Sequence, residues 1–289
     1  LTACFSVCLQ AVAAAPAPIP RTVTTDPAPD AKFPARLEVI HVPTGGVAVN
    51  GVVYVAAGPG PHPTFVLFHG LPGNERNLDV AQAVRRAGWN AVTINYRGSW
   101  GSPGKFTLAQ CLDDARATLA FVRDPANAKR LDIDPAHIAI GGHSLGGWVA
   151  AETLAADPKL LGAVLISAGD PGEIAAYARK DRATVVAAMN DSLEGLAGAT
   201  GESMVNELGV HGTEWSFATV APKLGKSRLD VLYATDMFEA DSVALVKAVR
   251  KNGGKLVQSA LVPTDHSWSD RRIELQARVV EWLQGLPIH

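Results

Sequence analysis

The sequence predicts a three-layer α/β fold, with a mostly parallel central sheet covered by helices on both faces. Three observations lead there. Apolar runs alternate with helical patterns from about residue 36 almost to the C-terminus. Several of those runs are continuous, as strands buried on both faces require. The helical segments between them are long enough for the right-handed crossovers that join parallel strands. With 289 residues, 47% of them hydrophobic, the chain can bury one large core.

The first fifteen residues, LTACFSVCLQAVAAA, carry no charge and end in small side chains. They read as a signal-peptide-like segment. Pro16 resists a cut directly before it, so cleavage is expected after Ala13 or Ala14, with export to the periplasm or the extracellular space. A lesser alternative is that LTAC resembles a lipobox, which would make Cys4 a lipidated anchor. The apolar run lies after Cys4 rather than before it, which argues the other way. Residues 16–34, rich in proline and threonine, read as a flexible linker, and residues 35–289 as the folded domain.

Within that domain RLEVIHV and VAVNGVVYVAA, split by Gly45-Gly46, form an expected antiparallel pair. TFVLFHG is a short buried strand. NLDVAQAVRRAG has helical spacing and stops at Gly88, a helix-terminating signal. WNAVTINYRG, HIAIGG and LLGAVLISAGD are the next strands, separated by the helical segments FTLAQCLDDARATLAFVRD and SLGGWVAAETLAAD. RLDVLYATD, SVALVKAVRKNGG, KLVQSALVPTD and RRIELQARVVEWLQGL then give strand, helix, strand, helix. Residues 171–226 interrupt this rhythm after the sixth strand. The stretch EIAAYARKDRATVVAAMNDSLEGLAG is helical in pattern, and the segment far exceeds the ~12–15 residues of an ordinary connection. It reads as a helical cap over the carboxyl edge of the sheet, where ligands bind in such folds; whether it is a mobile lid is a further hypothesis.

Composition narrows the chemistry. Lys and Arg number 26 against 28 Asp and Glu, a balance that gives no electrostatic case for a nucleic-acid partner. After the N-terminal segment no apolar run reaches the ~20 residues of a membrane span. Of three cysteines, Cys4 and Cys8 lie in that segment. Cys111 falls on the apolar side of an amphipathic helix and reads as a buried hydrophobe. The glycine-rich GSWGSPGKF has the wrong spacing, and Phe106 where a phosphate loop needs Ser or Thr, so no nucleotide cofactor follows. His69, His143 and His266 have no metal-ligand spacing on one element. Neither cofactor nor metal is expected.

Three motifs do carry chemistry, each at the end of an expected strand. Gly142-His143-Ser144-Leu145-Gly146 fits G-x-S-x-G between a strand and a helix. A serine nucleophile there must sit on a sharp turn, where β-carbons at Gly142 and Gly146 would collide with the adjoining backbone. His69-Gly70-Leu71-Pro72-Gly73 follows the third strand. Thr264-Asp265-His266-Ser267-Trp268 follows the last. A serine hydroxyl is a weak nucleophile at neutral pH and needs an imidazole to take its proton.

In this order the motifs resemble those of the α/β-hydrolase superfamily, over about residues 36–286. The resemblance implies a serine hydrolase with Ser144 as nucleophile and His266 as base. Asp236, ending the seventh strand, is the implied acid, with Asp170 at the end of the sixth as the alternative. It also implies an oxyanion hole made by the N–H groups of Leu71 and Leu145, with His143 lining the turn beside the serine. Trp148, Trp215 and Trp268 are candidate walls of an acyl pocket, although core packing is the commoner role for tryptophan, above all for Trp148 on the helix after the nucleophile. Asn95-Tyr96-Arg97-Gly98 resembles the turn of hydrolases related to prolyl oligopeptidases. Arg97 could bind a substrate carboxylate there, but pairing with a core acid such as Asp113 or Asp114 is the stronger expectation.

The expected reaction is hydrolysis of a small-molecule or polymeric carboxylic ester through an acyl-enzyme. The alternatives are peptidase or amidase activity and, in a different class, a non-catalytic binding protein of the same fold. A binding scaffold has no need to keep serine, acid and histidine together.

Overall fold

The computed structural model of the chain describes residues 13–288. Most of the signal-peptide-like segment, with Cys4 and its lipobox reading, lies outside those residues. The first described elements are a short helix α1 (Arg21–Thr24) and the strands β1 (Arg36–Thr44) and β2 (Val47–Val55). They are followed by β3 (His62–Phe68), α2 (Leu78–Arg86), β4 (Asn90–Ile94), α3 (Leu108–Arg123), α4 (Pro125–Arg130), β5 (Ile133–His143) and α5 (Leu145–Ala156). Next come β6 (Ala163–Ile166) and the cap helices α6 (Pro171–Lys180), α7 (Arg182–Asn190), α8 (Gly201–His211) and α9 (Phe217–Val220), ending in a 3-10 turn at Ala221–Leu224. The chain closes with β7 (Leu229–Ala234), α10 (Glu239–Lys251), β8 (Val257–Val262) and α11 (Arg272–Gln284).

The eight strands form one sheet in the order β1-β2-β4-β3-β5-β6-β7-β8. β1 pairs antiparallel with β2, and β2 antiparallel with β4. All the remaining pairs are parallel. Every residue of β4, β6 and β7 is buried, the signature of strands covered on both faces. β1 at the edge alternates and leaves Leu37 and Val39 exposed. One core cluster includes α3 and α5, the other α2 and α11, so the sheet separates two layers of helix.

Two local choices depart from the expected pattern. The helical run after Pro171 is not one helix: Asp181 ends α6 and accepts the Thr184 N–H to cap α7, so a carboxylate breaks an otherwise continuous stripe. α4, unanticipated, begins because Asp124 accepts from Ala126 and Asn127 N–H with Pro125 at the first helical position.

The stretch 16–34, expected to be a flexible linker, is laid on the domain. Val23 is buried, and Arg86 donates to the Thr22 and Val23 carbonyls. The Gly58 N–H bonds the Phe33 carbonyl. Just upstream, the Ala14 N–H reaches Leu261 O on β8, the far edge strand, at 2.9 Å. Proline-rich composition signals a chain without its own secondary structure, and it does not prevent that chain from packing on a neighbouring surface. Cys111 is fully buried among α3 core residues, and burial holds its thiol well above the usual range.

One buried charge gives a test of the fold. Asp230 on β7 is 6% exposed, and burial pushes its carboxyl up to about 7, with the Arg278 charge acting the other way. The folded chain therefore holds a proton that the unfolded chain loses near pH 4. Stability falls as pH rises between roughly 4 and 7. Asp230→Asn is expected to stabilise the protein by roughly 2–4 kcal/mol at pH 8 and to change little at pH 4. Thermal melts at the two pH values check this; equal shifts at both would refute it.

Candidate active site

The site sits where β5 ends. Ser144 is the last residue before α5 and adopts φ 56°, ψ −119°, while its N–H is fixed to Ile166 O on β6 at 2.8 Å. A non-glycine residue in such a conformation is held there by its surroundings and is strained. The strain falls on the serine, and the flanking glycines supply space. A β-carbon at Gly142 would lie 2.1 Å from Gly146 O, and one at Gly146 would lie 2.2 Å from Phe68 O. Ser144 is 8% exposed and opens into a cavity of about 440 Å³.

His266 lines the same cavity. Its Nδ1 lies 2.7 Å from Asp236 Oδ2, and the other carboxylate oxygen of Asp236 accepts the Phe238 N–H at 2.8 Å. No direct hydrogen bond joins Ser144 to His266 in this state; such bonds often form only once substrate is bound. The Phe238 ring meets the imidazole edge-on at 5.4 Å between centroids. Asp170, the alternative acid, is engaged elsewhere: its two carboxylate oxygens accept the Gly172 and Phe217 N–H groups. Asp241 accepts the Asp170 N–H at 2.9 Å. The geometry thus pairs Asp236 with the histidine and sets Asp170 apart from it.

His143 bears on the histidine from the other side. The rings lie 4.6 Å apart, and His143 Nε2 is 2.7 Å from the His266 carbonyl oxygen, so that nitrogen carries the proton. Its Nδ1 is buried without a partner. Burial, and then the neighbouring His266 charge, lower the His143 imidazole to about 4. It stays neutral near pH 7, ties the His266 backbone to the serine turn, and adds no charge to the site.

Leu71 and Leu145 both line the cavity. Neither backbone N–H donates to a protein acceptor among the described residues, and the Leu145 N–H opens helix α5, whose dipole favours negative charge there. Gly70 lets this loop approach the serine, since a β-carbon on it would lie 3.0 Å from Ser144 Cβ. His69 is a loop-shaping residue. Its Nδ1 bonds Gly70 O at 2.8 Å, Tyr96 donates to its carbonyl, and burial lowers its imidazole to about 4.

The tryptophans divide: Trp148 lines the cavity, while Trp215 and Trp268, expected as its walls, pack in the core. Trp268 is fully buried away from the cavity, and its indole N–H donates to Ser167 Oγ, which anchors the loop bearing His266. Trp215 packs at a tilt of 54° against Trp148, which donates its N–H to Trp215 O. Of the tryptophans, Trp148 is the one on the cavity wall. Aromatic content alone does not say which ring faces a cavity and which fills the core. Sequence reasoning also missed Phe238 and the apolar cap residues Ile174, Val185, Met189 and Leu208, which line the cavity. Their helical spacing was the available signal, but it does not reveal which stripe faces the serine.

Arg97 turns inward, with its guanidinium on Asp114 at 2.6 Å and on Asp113 at 3.2 Å. It belongs to the scaffold. Among the described residues, no cluster of three or more His, Cys, Asp or Glu side chains is placed to hold a metal ion. No described helix is long and apolar enough to cross a membrane.

Comparison with known proteins fixes the family. The model of the alpha/beta hydrolase family matches residues 65–283. The chain belongs to the alpha/beta hydrolase family. An uncharacterised protein of Mycobacterium tuberculosis is 28% identical to this hydrolase over 125 residues, 43% of this chain and 43% of that relative, so the match spans less than half of the relative's length. An esterase of Pyrobaculum calidifontis superposes with a TM-score of 0.63 at 17% identity, over 88% of the hydrolase and 87% of the esterase. An acylaminoacyl peptidase of Pyrococcus horikoshii gives 0.64 at 15% identity, over 86% of the hydrolase and 41% of the peptidase. At those identities the superpositions establish the shared fold of the hydrolase.

Proposed function

We propose that the protein is an exported serine hydrolase that cleaves carboxylic esters of uncharged, apolar acids. The observation that carries this reading is the 2.7 Å contact between Asp236 and His266 Nδ1 beside a strained Ser144, both His266 and Ser144 opening on one cavity. Asp236 accepts a hydrogen bond from Nδ1–H and so holds the tautomer whose bare Nε2 takes the Ser144 proton. Oγ attacks the ester carbonyl, and the Leu71 and Leu145 N–H groups hold the resulting oxyanion. His266 returns the proton to the departing alcohol. Water, deprotonated by the same imidazole, then releases the acid and regenerates Ser144.

No charged side chain lines the cavity, and its polar groups are few: Ser144, Tyr177, Thr184, Ser192 and His266. Burying a charged acyl group there would leave it without a partner, a large cost. A free α-carboxylate or ammonium on the acyl side therefore fits poorly, and the inward ion pair withdraws Arg97, the candidate cation for a substrate carboxylate. The apolar N-terminal segment supports export.

The proposal is tested with a fluorophosphonate, which should form one covalent adduct located on Ser144 by peptide mapping. An unlabelled Ser144 in folded protein would exclude the serine-hydrolase reading. Matched ester and anilide substrates then separate esterase from peptidase.

A further inference from the structure

The carboxylate that the serine-acid-histidine set does not use has another task in the geometry. We infer that Asp170 is a positioning residue that ties both ends of the cap to the sheet and thereby sets the preference for long apolar acyl groups. Its second half rests on the ester-hydrolase reading; its first half does not.

Asp170 stands four residues past the end of β6, where the chain leaves the sheet to build the cap. Its side chain is largely buried, and burial raises its carboxyl above the usual range while the Gly172 and Phe217 N–H groups pull it back. Oδ1 accepts Gly172 N–H at 2.7 Å and so caps α6, the first cap helix. Oδ2 accepts Phe217 N–H at 3.0 Å, across 47 residues of chain, at the start of α9, the last cap helix. One carboxylate therefore supplies an acceptor to each end of the insertion. The two ends also touch directly, since a β-carbon on Gly172 would lie 2.3 Å from Ser216 Cβ.

The same residue is held to the loop bearing the acid. Its N–H donates to Asp241 Oδ2, and a β-carbon on the adjacent Gly169 would lie 2.8 Å from the Phe238 ring, the ring that meets His266. Between the tied ends stand Ile174, Val185, Met189 and Leu208, the apolar wall of the cavity. An acetyl group bound at Ser144 is too short to depend on that wall; a long chain must lie against it. Loosening the tie should therefore penalise long acyl groups and spare short ones.

Asp170→Asn separates the two acceptors. The amide oxygen can still cap α6, while the NH₂ group now meets the Phe217 N–H donor to donor. Amide hydrogen exchange at Phe217 is expected to quicken by about tenfold or more, as a buried N–H loses its partner. The kcat/KM ratio of p-nitrophenyl octanoate to p-nitrophenyl acetate is expected to fall by about tenfold, mostly through KM, with acetate turnover within about twofold of wild type. Asp170→Ser, which caps α6 but is too short to reach Phe217, repeats the measurement if the asparagine variant does not fold.

Unchanged exchange at Phe217 overturns the tie. Faster exchange with an unchanged octanoate-to-acetate ratio, or an equal loss on both esters, overturns the role in selectivity. A wild-type enzyme inert to both esters and to the fluorophosphonate sinks the esterase reading and the selectivity role with it, while the exchange result still decides the tie.

Discussion

Replacing Ser144 with alanine is expected to lower kcat on an activated ester by about 10⁴-fold or more, because in the proposed mechanism the removed hydroxyl forms the acyl-enzyme. Substrate affinity should change little, since the apolar cavity lining proposed to hold the acyl chain remains in place. Alanine also accepts the positive φ of this position poorly, so the variant is expected to be no more stable than wild type. The decisive comparison is single-turnover acylation measured beside substrate binding. Retention of more than about 1% of wild-type turnover would assign the nucleophile elsewhere.

Asp236→Asn has the next largest expected effect, about 10⁴-fold in kcat at neutral pH. The reason is the proton on His266. Asparagine can keep the Phe238 N–H with its oxygen and then turns its NH₂ toward Nδ1, now 2.7 Å from a carboxylate oxygen. Nδ1 must become an acceptor, the proton moves to Nε2, and the nitrogen needed for Ser144 can no longer act as a base. The geometry of the site should survive, so fluorophosphonate labelling slows by a similar factor without loss of fold. Asp170→Asn, by contrast, leaves His266 untouched and should keep acetate turnover. If the two substitutions exchange these outcomes, the acid has been assigned to the wrong strand end.

That pair of carboxylates also marks where sequence reasoning stops. The places of Ser144 and His266 at one cavity were legible, the first from steric demand and the second from its position in the order of elements. Gly142 and Gly146 surround Ser144 where any β-carbon would strike backbone, and His266 follows the last strand of a regular alternation. The acid has no such mark. Asp170 and Asp236 both lie in the loops that follow neighbouring parallel strands at the carboxyl edge of the sheet, and only the position of the imidazole separates them. The cap shows the same limit. Its helical character was readable, but the break at Asp181, the burial of Trp215 and Trp268, and the apolar stripe toward Ser144 all follow from contacts across long sequence separations. The proline-rich stretch misled for a related reason: composition reports on a chain's own propensity and is silent about the surface on which it rests.

The burial of Cys111 has a practical consequence. In a variant carrying Cys4→Ser and Cys8→Ser it is the sole thiol of the chain. Its side chain lies fully buried on α3, with its proton held tightly by the surrounding apolar core. A thiol reagent reads thiolate that has reached solvent, so its reaction with this protein counts openings of the core rather than events at the surface. The sulfur is thus a built-in clock for unfolding on the α3 side of the sheet, and it runs whether or not a substrate is known.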